Sequence, residues 1–255
     1  MRKLLTLFMA LLPGISKAEG AKLGSDDDLI RQMLFASQSL KEQVKNAHLD
    51  GTPGPFQTIT DASKLVDSGK RDEAIALLRG VLDNPKLETR IQLWVWSALR
   101  ELGQTPDPKF AYEVLGAIIE FPSGGGYDTL AAYADGSARY LKFSGAAIFW
   151  DADEPAIKAM CQALVDSTIP FSSRAKPRRS LSLPKGTAQV TMLTRSGPFV
   201  VVSPPDSVIG PGAALMMELM KRSKEKKGEP GGPANGSQPI RSETNSTPPA
   251  AGSRR

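Results

Sequence analysis

The chain of 255 residues has little of what most catalytic and metal sites require. It contains one cysteine, Cys161, and one histidine, His48. A single cysteine excludes an intramolecular disulfide, and two such residues cannot supply the three or four His and Cys ligands of a zinc site. The sequence also lacks the Gly-x-Ser-x-Gly, His-Glu-x-x-His and complete phosphate-loop motifs. We therefore expect no metal and no cofactor, and the sequence leans away from an enzyme.

Two weak catalytic patterns are present. Ser173-x-x-Lys176 and Ser182-x-x-Lys185 match the spacing of a serine activated by a lysine one helical turn away. Both lie in a polar segment that prolines interrupt, so neither is expected to form the required helix. The acidic residues around Asp153 are better interpreted as the start of a helix, because Asp caps a helix and Pro155 fits its first turn.

Aromatic residues are few, at 6% of the chain, and the net positive charge comes from its end. Residues 221–255 carry eight Lys or Arg and three Glu, so they account for the whole net charge of +5. The rest of the chain is close to neutral. A basic loop at 174–185 has no interleaved aromatic residues that could stack on bases. We therefore expect no specific binding of nucleic acid.

Residues 1–18 have the pattern of a secretory signal peptide. A basic start precedes a short apolar run at 4–12, and Ser16 and Ala18 place small residues at the −3 and −1 positions. The run is too short to span a bilayer, which takes roughly 20 apolar residues. The alternatives are a buried first helix and a start codon assigned too early. With a signal peptide, the mature chain begins near Glu19 and is secreted or periplasmic; otherwise the chain is cytoplasmic.

Residues 19–103 are predicted to form a helical region. Apolar spacing indicates one long helix over about 26–47, then a loop, and then three short helices that end near residues 69, 84 and 103. Residues 59–103 resemble about one tetratricopeptide repeat. Gly69 ends the first helix of that hairpin, and Ala74, five residues later, lets the second helix pack closely. The alternative is a generic helical hairpin.

Residues 110–222 are predicted to form an antiparallel α+β domain, and residues 223–255 are predicted to be a disordered basic tail. Alternating apolar residues and turn signals give the order β-β-β-β-α-β-β-α, an antiparallel meander with helices on one face. Asp135-Gly136 is a strong hairpin signal between two of the strands. The stretch 128–150 also resembles a domain of uncharacterised bacterial proteins, and this resemblance implies no activity. The tail is too poor in large apolar groups to fold.

Two sets of residues are candidate sites. Trp94 falls in the buried stripe of its helix, whereas Leu93 and Trp96 lie outside that stripe. They are expected to contact either the β domain or a partner. The second set is a possible ligand loop in the β domain, formed by Gly124, Gly125, Gly126, Asp128, Asp135 and Arg139.

Three functions remain open from the sequence. The first is a non-enzymatic, exported protein-interaction protein that binds another protein, favoured by the helical hairpin and the missing catalytic groups. The second is an enzyme or small-ligand binder with a site in the β domain. The third is a weak binder of an anionic surface, either nucleic acid or membrane, through the basic loop and tail. The sequence contains no transmembrane segment that would favour a membrane-spanning protein.

Overall fold

The computed structural model of the chain describes residues 27–47, 54–123, 126–151, 154–180 and 186–228. The predicted signal peptide, His48, Gly124, Gly125, the second Ser-x-x-Lys pattern and the tail beyond residue 228 lie outside these ranges. The described residues form an α+β protein of helices and one antiparallel sheet. None of the helices in these ranges is long and apolar enough to cross a membrane.

Between residues 27 and 103, the described residues form five helices. They are α1 (Asp27–Leu34), α2 (Leu40–Ala47), α3 (Pro55–Asp67), α4 (Arg71–Leu82) and α5 (Thr89–Glu101). Helices α3, α4 and α5 occupy the three segments that apolar spacing predicts. Gly69, between α3 and α4, has a φ of +76°, a left-handed conformation that glycine adopts without strain. Ala74 is fully buried.

The prediction of one helix over about 26–47 is wrong, because the chain breaks between α1 and α2. Ala36 has a φ of +48°, outside the helical region. Ser39 then starts α2 with a capping box: its hydroxyl donates to Glu42 Oε2 at 2.8 Å, and that carboxylate accepts from the Ser39 amide at 2.9 Å. The Glu42 carboxylate is thus the acceptor for the Ser39 amide, whereas in a continuous helix a backbone carbonyl of the preceding turn would accept that amide. These hydrogen bonds also lower the pKa of Glu42.

Seven strands form the sheet, with two more helices after β4 and β7. The elements are β1 (Val114–Ser123), β2 (Gly126–Tyr133), β3 (Ala138–Leu141), β4 (Ala147–Trp150), α6 (Pro155–Thr168), β5 (Lys176–Pro177), β6 (Gln189–Thr194), β7 (Gly197–Val202) and α7 (Asp206–Gly228). The strand order is β4-β3-β2-β1-β6-β7-β5. The predicted strand and helix order is present, with two additions in the segment 169–186, which was predicted to be a polar, basic loop: a 3-10 helix at Ile169–Arg174 and the short strand β5.

The two helices of the β domain, α6 and α7, lie on one face of the sheet as predicted, and the N-terminal helices cover the other face. Ile118 lies in a core shared with α1–α5, on what we call the first face. Ile119, its neighbour on β1, lies in a second core formed with α6 and α7, on the second face. Successive side chains of a strand point to opposite faces, so an unbroken apolar run requires cover on both sides. The N-terminal helices supply the missing layer, and they share one core with the sheet.

Helix α7 is longer than the sequence suggests. Apolar spacing predicts it over about 213–224, whereas it runs from Asp206 to Gly228 and contains Pro211. The first residues of the predicted disordered tail, 223–228, are therefore helical. Leu215 and Leu219 of this helix are fully buried on the second face.

Candidate functional site

The predicted ligand loop does not form an open site in the described residues. Asp128 accepts the hydroxyl of Tyr140 at 2.6 Å through one oxygen and the amide of Phe143 at 2.8 Å through the other. Burial, together with this hydrogen bond to Asp128, raises the pKa of Tyr140. Gly126 begins β2 with the Phe143 ring directly against it, at a position where a Cβ would collide with that ring. These contacts close the meander of β2, β3 and β4.

Asp135 also has a structural role, because it links the sheet to the helical layer. One carboxylate oxygen accepts the amide of Thr89, the first residue of α5, at 2.8 Å. The other oxygen accepts the Ser137 amide and hydroxyl at 2.9 and 2.7 Å. A carboxylate at a helix N-terminus is stabilised by the unpaired amides and the helix dipole. The β2–β3 turn therefore holds the start of α5.

Arg139 lies in a sealed cluster beside this turn, with only 1% of its surface exposed. Its Nη1 donates to the carbonyls of Ala138 and Trp150 at 2.8 and 2.6 Å, and its Nη2 lies 3.3 Å from Asp151 Oδ1. Burial and the neighbouring charge of Arg90 lower the pKa of Arg139. A ligand cannot reach the Arg139 guanidinium without opening the interface between the helices and the sheet.

The two proposed partner-contact residues on α5 differ in their burial. Leu93 has 3% of its surface exposed and belongs to the core of the first face. It is therefore not available to a partner in this structure. Trp96 is half-buried against the same core. The two residues outside the predicted buried stripe of α5 are therefore packed mainly against the chain's own core.

A second buried ion cluster, which the sequence analysis missed, joins three distant segments. Glu120 of β1 is fully buried between Arg31 of α1 and Arg178 of the segment after β5. The carboxylate accepts Arg31 Nε at 3.1 Å and Arg178 Nη1 at 2.8 Å. Arg178 Nη1 also donates to Thr191 Oγ1 at 2.6 Å, and its guanidinium lies 4.3 Å from the Phe35 ring centre. No local motif predicts a cluster whose members are 58 and 89 residues apart.

Neither Cys161 nor the first Ser-x-x-Lys pattern is arranged as a catalytic group in the described residues. Cys161 is buried, its thiol lies 3.4 Å from the Gly136 carbonyl oxygen, and burial raises its pKa to about 12, so it is a protonated thiol at neutral pH. Ser173 lies in a 3-10 helix and Lys176 lies in strand β5, so the two residues do not share a helical turn. No group of three or more His, Cys, Asp or Glu in the described ranges has the arrangement of a metal site.

An open groove of about 700 Å³ lies between α3 and α4. The side chains that line it are mainly apolar, and Leu77 is 38% exposed there. The lining includes Leu65, Ala76, Leu77, Gly80 and Val81. Glu73, a carboxylate in the lining, is paired with Lys70, the residue just before α4, at 3.2 Å. The groove therefore offers apolar contact with little net charge beside it.

Nothing in the described structure requires a glycine at the position of Gly80. It lies within α4, its φ is not in the positive range, and a Cβ built on it would meet nothing within 4 Å. Glycine inside a helix costs about 0.5–1 kcal/mol relative to alanine. The absence of a side chain instead leaves the groove open to the helix backbone. The sequence carried this signal, because Gly80 interrupts an otherwise good helical pattern.

Comparison with known proteins adds no information on function. No protein-family model matches the chain, and neither does a curated protein or a solved structure.

Proposed function

We propose that the chain is a non-enzymatic protein-interaction protein that binds an amphipathic helix of another protein in the α3–α4 groove. The observation that carries the proposal is Gly80, a helix-interior glycine facing open apolar space that no described residue fills. Close approach of a second backbone is a common reason for glycine at such a position. The resemblance of this hairpin to a tetratricopeptide repeat supports the same function.

The size of the groove suits two to three helical turns of a partner. Helix α4 has 12 residues, which corresponds to a length of about 18 Å at 1.5 Å per residue. A partner helix would place apolar residues at i, i+3, i+4 and i+7 against Leu65, Leu77 and Val81. Because Glu73, the charged residue of the lining, is already paired with Lys70, affinity should depend on apolar burial rather than on charge.

A displayed library of helical peptides would test the proposal. Peptides selected on the full chain should have a single apolar face and should bind Gly80→Trp and Leu77→Asp at least about tenfold more weakly, because central apolar anchors dominate such interfaces. The control is Met217→Asp, which alters an exposed apolar residue on α7, away from the groove. Binding should change little with salt, whereas binding of an anionic surface should fall steeply as salt rises.

Two results would contradict the groove. One is that no peptide is enriched over an unrelated protein. The other is that selected peptides bind Gly80→Trp as tightly as the unaltered chain. Gly80→Ala gives a fold control, since it should stabilise the protein by about 0.5–1 kcal/mol in urea unfolding while removing only part of the open space.

Export is proposed on the pattern of residues 1–18 alone. Expression in the chain's own host should yield a protein that lacks about 18 residues and is recovered outside the cytoplasm. Intact-mass measurement of the purified protein, with cell fractionation, checks both points. An intact Met1 on a cytosolic protein would overturn export and would direct the search for partners to the cytosol.

A further inference from the structure

The two edges of the sheet differ in how well they are protected against the addition of another strand. At one edge the outermost strand is β5, which consists of Lys176 and Pro177. Both residue types discourage further pairing, because proline has no N–H to donate and a lysine charge has to remain in water. At the other edge lies β4, whose sequence Ala-Ile-Phe-Trp contains neither a charge nor a proline. The β4 edge therefore lacks the protection that β5 has.

The hydrogen bonds of the β3–β4 hairpin show which backbone groups of β4 face outward. The hairpin closes with the Lys142 amide donating to the Ala146 carbonyl at 2.7 Å. Opposed residues of an antiparallel pair alternate between hydrogen-bonded and non-hydrogen-bonded pairs. In this register Ile148 bonds to β3, whereas its neighbours Ala147 and Phe149 direct their N–H and C=O groups away from β3, toward the edge.

The outward groups of β4 are available for pairing. Among the described residues, none donates to the carbonyl of Ala147 or Phe149, and none accepts from either amide. The side chains of Ala147, Ile148 and Phe149 are half-buried, so the strand is not covered completely. A row of unpaired backbone donors and acceptors at a sheet edge can pair with a strand of another chain. The β4 edge can thus accept one more antiparallel strand.

The order of side-chain sizes around Ile148 indicates which strand fits. Two small residues, Ala146 and Ala147, precede Ile148, and two large ones, Phe149 and Trp150, follow it. Antiparallel pairing of this segment with a second copy of itself, centred on Ile148, places each large residue opposite a small one. Alternation of large and small side chains across facing positions favours close packing. The same register pairs the outward backbone groups of Ala147 with those of Phe149 in both directions.

We infer that two copies of this chain pair through β4, antiparallel and about a two-fold axis at Ile148. The axis is perpendicular to the sheet, so the sheet continues from one copy into the other. Ile148 then faces its counterpart on the second face, and Phe149 lies beside Ala147 of the second copy on the first face. A two-fold interface uses the same surface on both copies, so assembly closes at a dimer. The inference goes beyond the protein-binding groove and does not depend on it.

Cysteine substitution tests the register, because the native Cys161 is the chain's one cysteine and is buried. Opposed residues of a non-hydrogen-bonded antiparallel pair have Cα atoms about 4.5 Å apart, which a disulfide can bridge. Ile148→Cys should therefore form a disulfide-linked dimer in oxidised glutathione. Phe149→Cys should cross-link at least about tenfold more slowly, because the two Cα atoms would lie about 7–8 Å apart. Val202→Cys, an exposed position on β7, measures the rate of random collision.

Sedimentation of the full chain tests the dimer itself. A short edge contact buries little area, so a dissociation constant on the order of 10–100 µM is expected. Ala147→Pro removes an outward amide and no bond to β3, so it should keep the fold and weaken dimerisation at least about tenfold. Ile148→Lys should have the same effect, because it places like charges opposite each other. Gly80→Trp, in the α3–α4 groove, should dimerise like the unaltered chain.

Three results would overturn the inference. The first is a chain that remains monomeric at about 1 mM, well above the expected dissociation constant; such a result would leave the β4 edge to a strand of another protein. The second is that Ala147→Pro and Ile148→Lys, both shown to be folded by circular dichroism, dimerise as tightly as the unaltered chain. The third is that Ile148→Cys cross-links no faster than Val202→Cys.

Discussion

Replacing Glu120 with alanine is expected to lower the free energy of unfolding by about 3–5 kcal/mol. The variant removes the buried carboxylate that pairs with both Arg31 and Arg178, and Arg178 has only 2% of its side chain exposed. Removing one partner of a buried ion pair is costly because the remaining charge stays desolvated. Burial already lowers the pKa of Arg178, and Glu120 opposes that effect. Urea unfolding at pH 7 measures the change.

Two further variants separate the charge from general damage to the core. Glu73→Ala removes a carboxylate whose pairing with Lys70 is exposed, and it should change stability by less than about 1 kcal/mol. Replacing Arg31, Glu120 and Arg178 together with apolar residues of similar size should recover most of the loss, as buried ion clusters are often replaceable in this way. A loss below about 1 kcal/mol for Glu120→Ala would show that water reaches the cluster.

The cluster also predicts how the protein unfolds. Arg31 belongs to the helical layer, Glu120 to the sheet, and Arg178 to the segment beyond β5, so breaking it weakens every layer on the first face. The helices and the sheet share one core there. A single cooperative transition, the same by circular dichroism and by tryptophan fluorescence, is therefore expected for the whole described unit.

Local patterns in the sequence were enough to predict most elements of the fold. The hairpin at Asp135-Gly136 forms, with β2 and β3 on either side of it. Turn chemistry and strand periodicity depend on neighbouring residues, so they are visible in the sequence. The break before Ser39 was also visible, as Ser39-x-x-Glu42 is a capping box, but continuous apolar spacing outweighed it.

Long-range features could not be predicted in the same way. The pairing of β1 with β6 brings Val114 beside Thr194, and no local pattern specifies that pairing. The surroundings of Asp135 and Arg139 likewise depend on a distant segment, the start of α5. These two residues were polar candidates for a ligand site because the sequence does not show that α5 packs over them. Their hydrogen-bond partners come from tertiary packing.

Trp94→Ala is the second variant with a large expected effect, a loss of about 3–5 kcal/mol in the free energy of unfolding. Trp94 is buried in the core of the first face, and its indole Nε1 donates to the Met33 carbonyl at 3.0 Å. Phe56 meets its ring edge-on, with centres 6.5 Å apart, and the Arg90 guanidinium lies 5.4 Å from the ring centre. The variant therefore removes packing between α1, α3 and α5 at once.

Trp96→Ala is the matched control, because it removes the same side chain two residues along the same helix. Trp96 is only half-buried, so its loss should cost less than about 2 kcal/mol. Trp94→Phe keeps most of the apolar body but leaves the Met33 carbonyl without its donor, and about 1–3 kcal/mol should be lost. Urea unfolding followed by far-ultraviolet circular dichroism compares the three variants without relying on tryptophan signal. Equal losses for Trp94→Ala and Trp96→Ala would contradict this packing, since only Trp94 joins three helices of the layer that carries the α3–α4 groove.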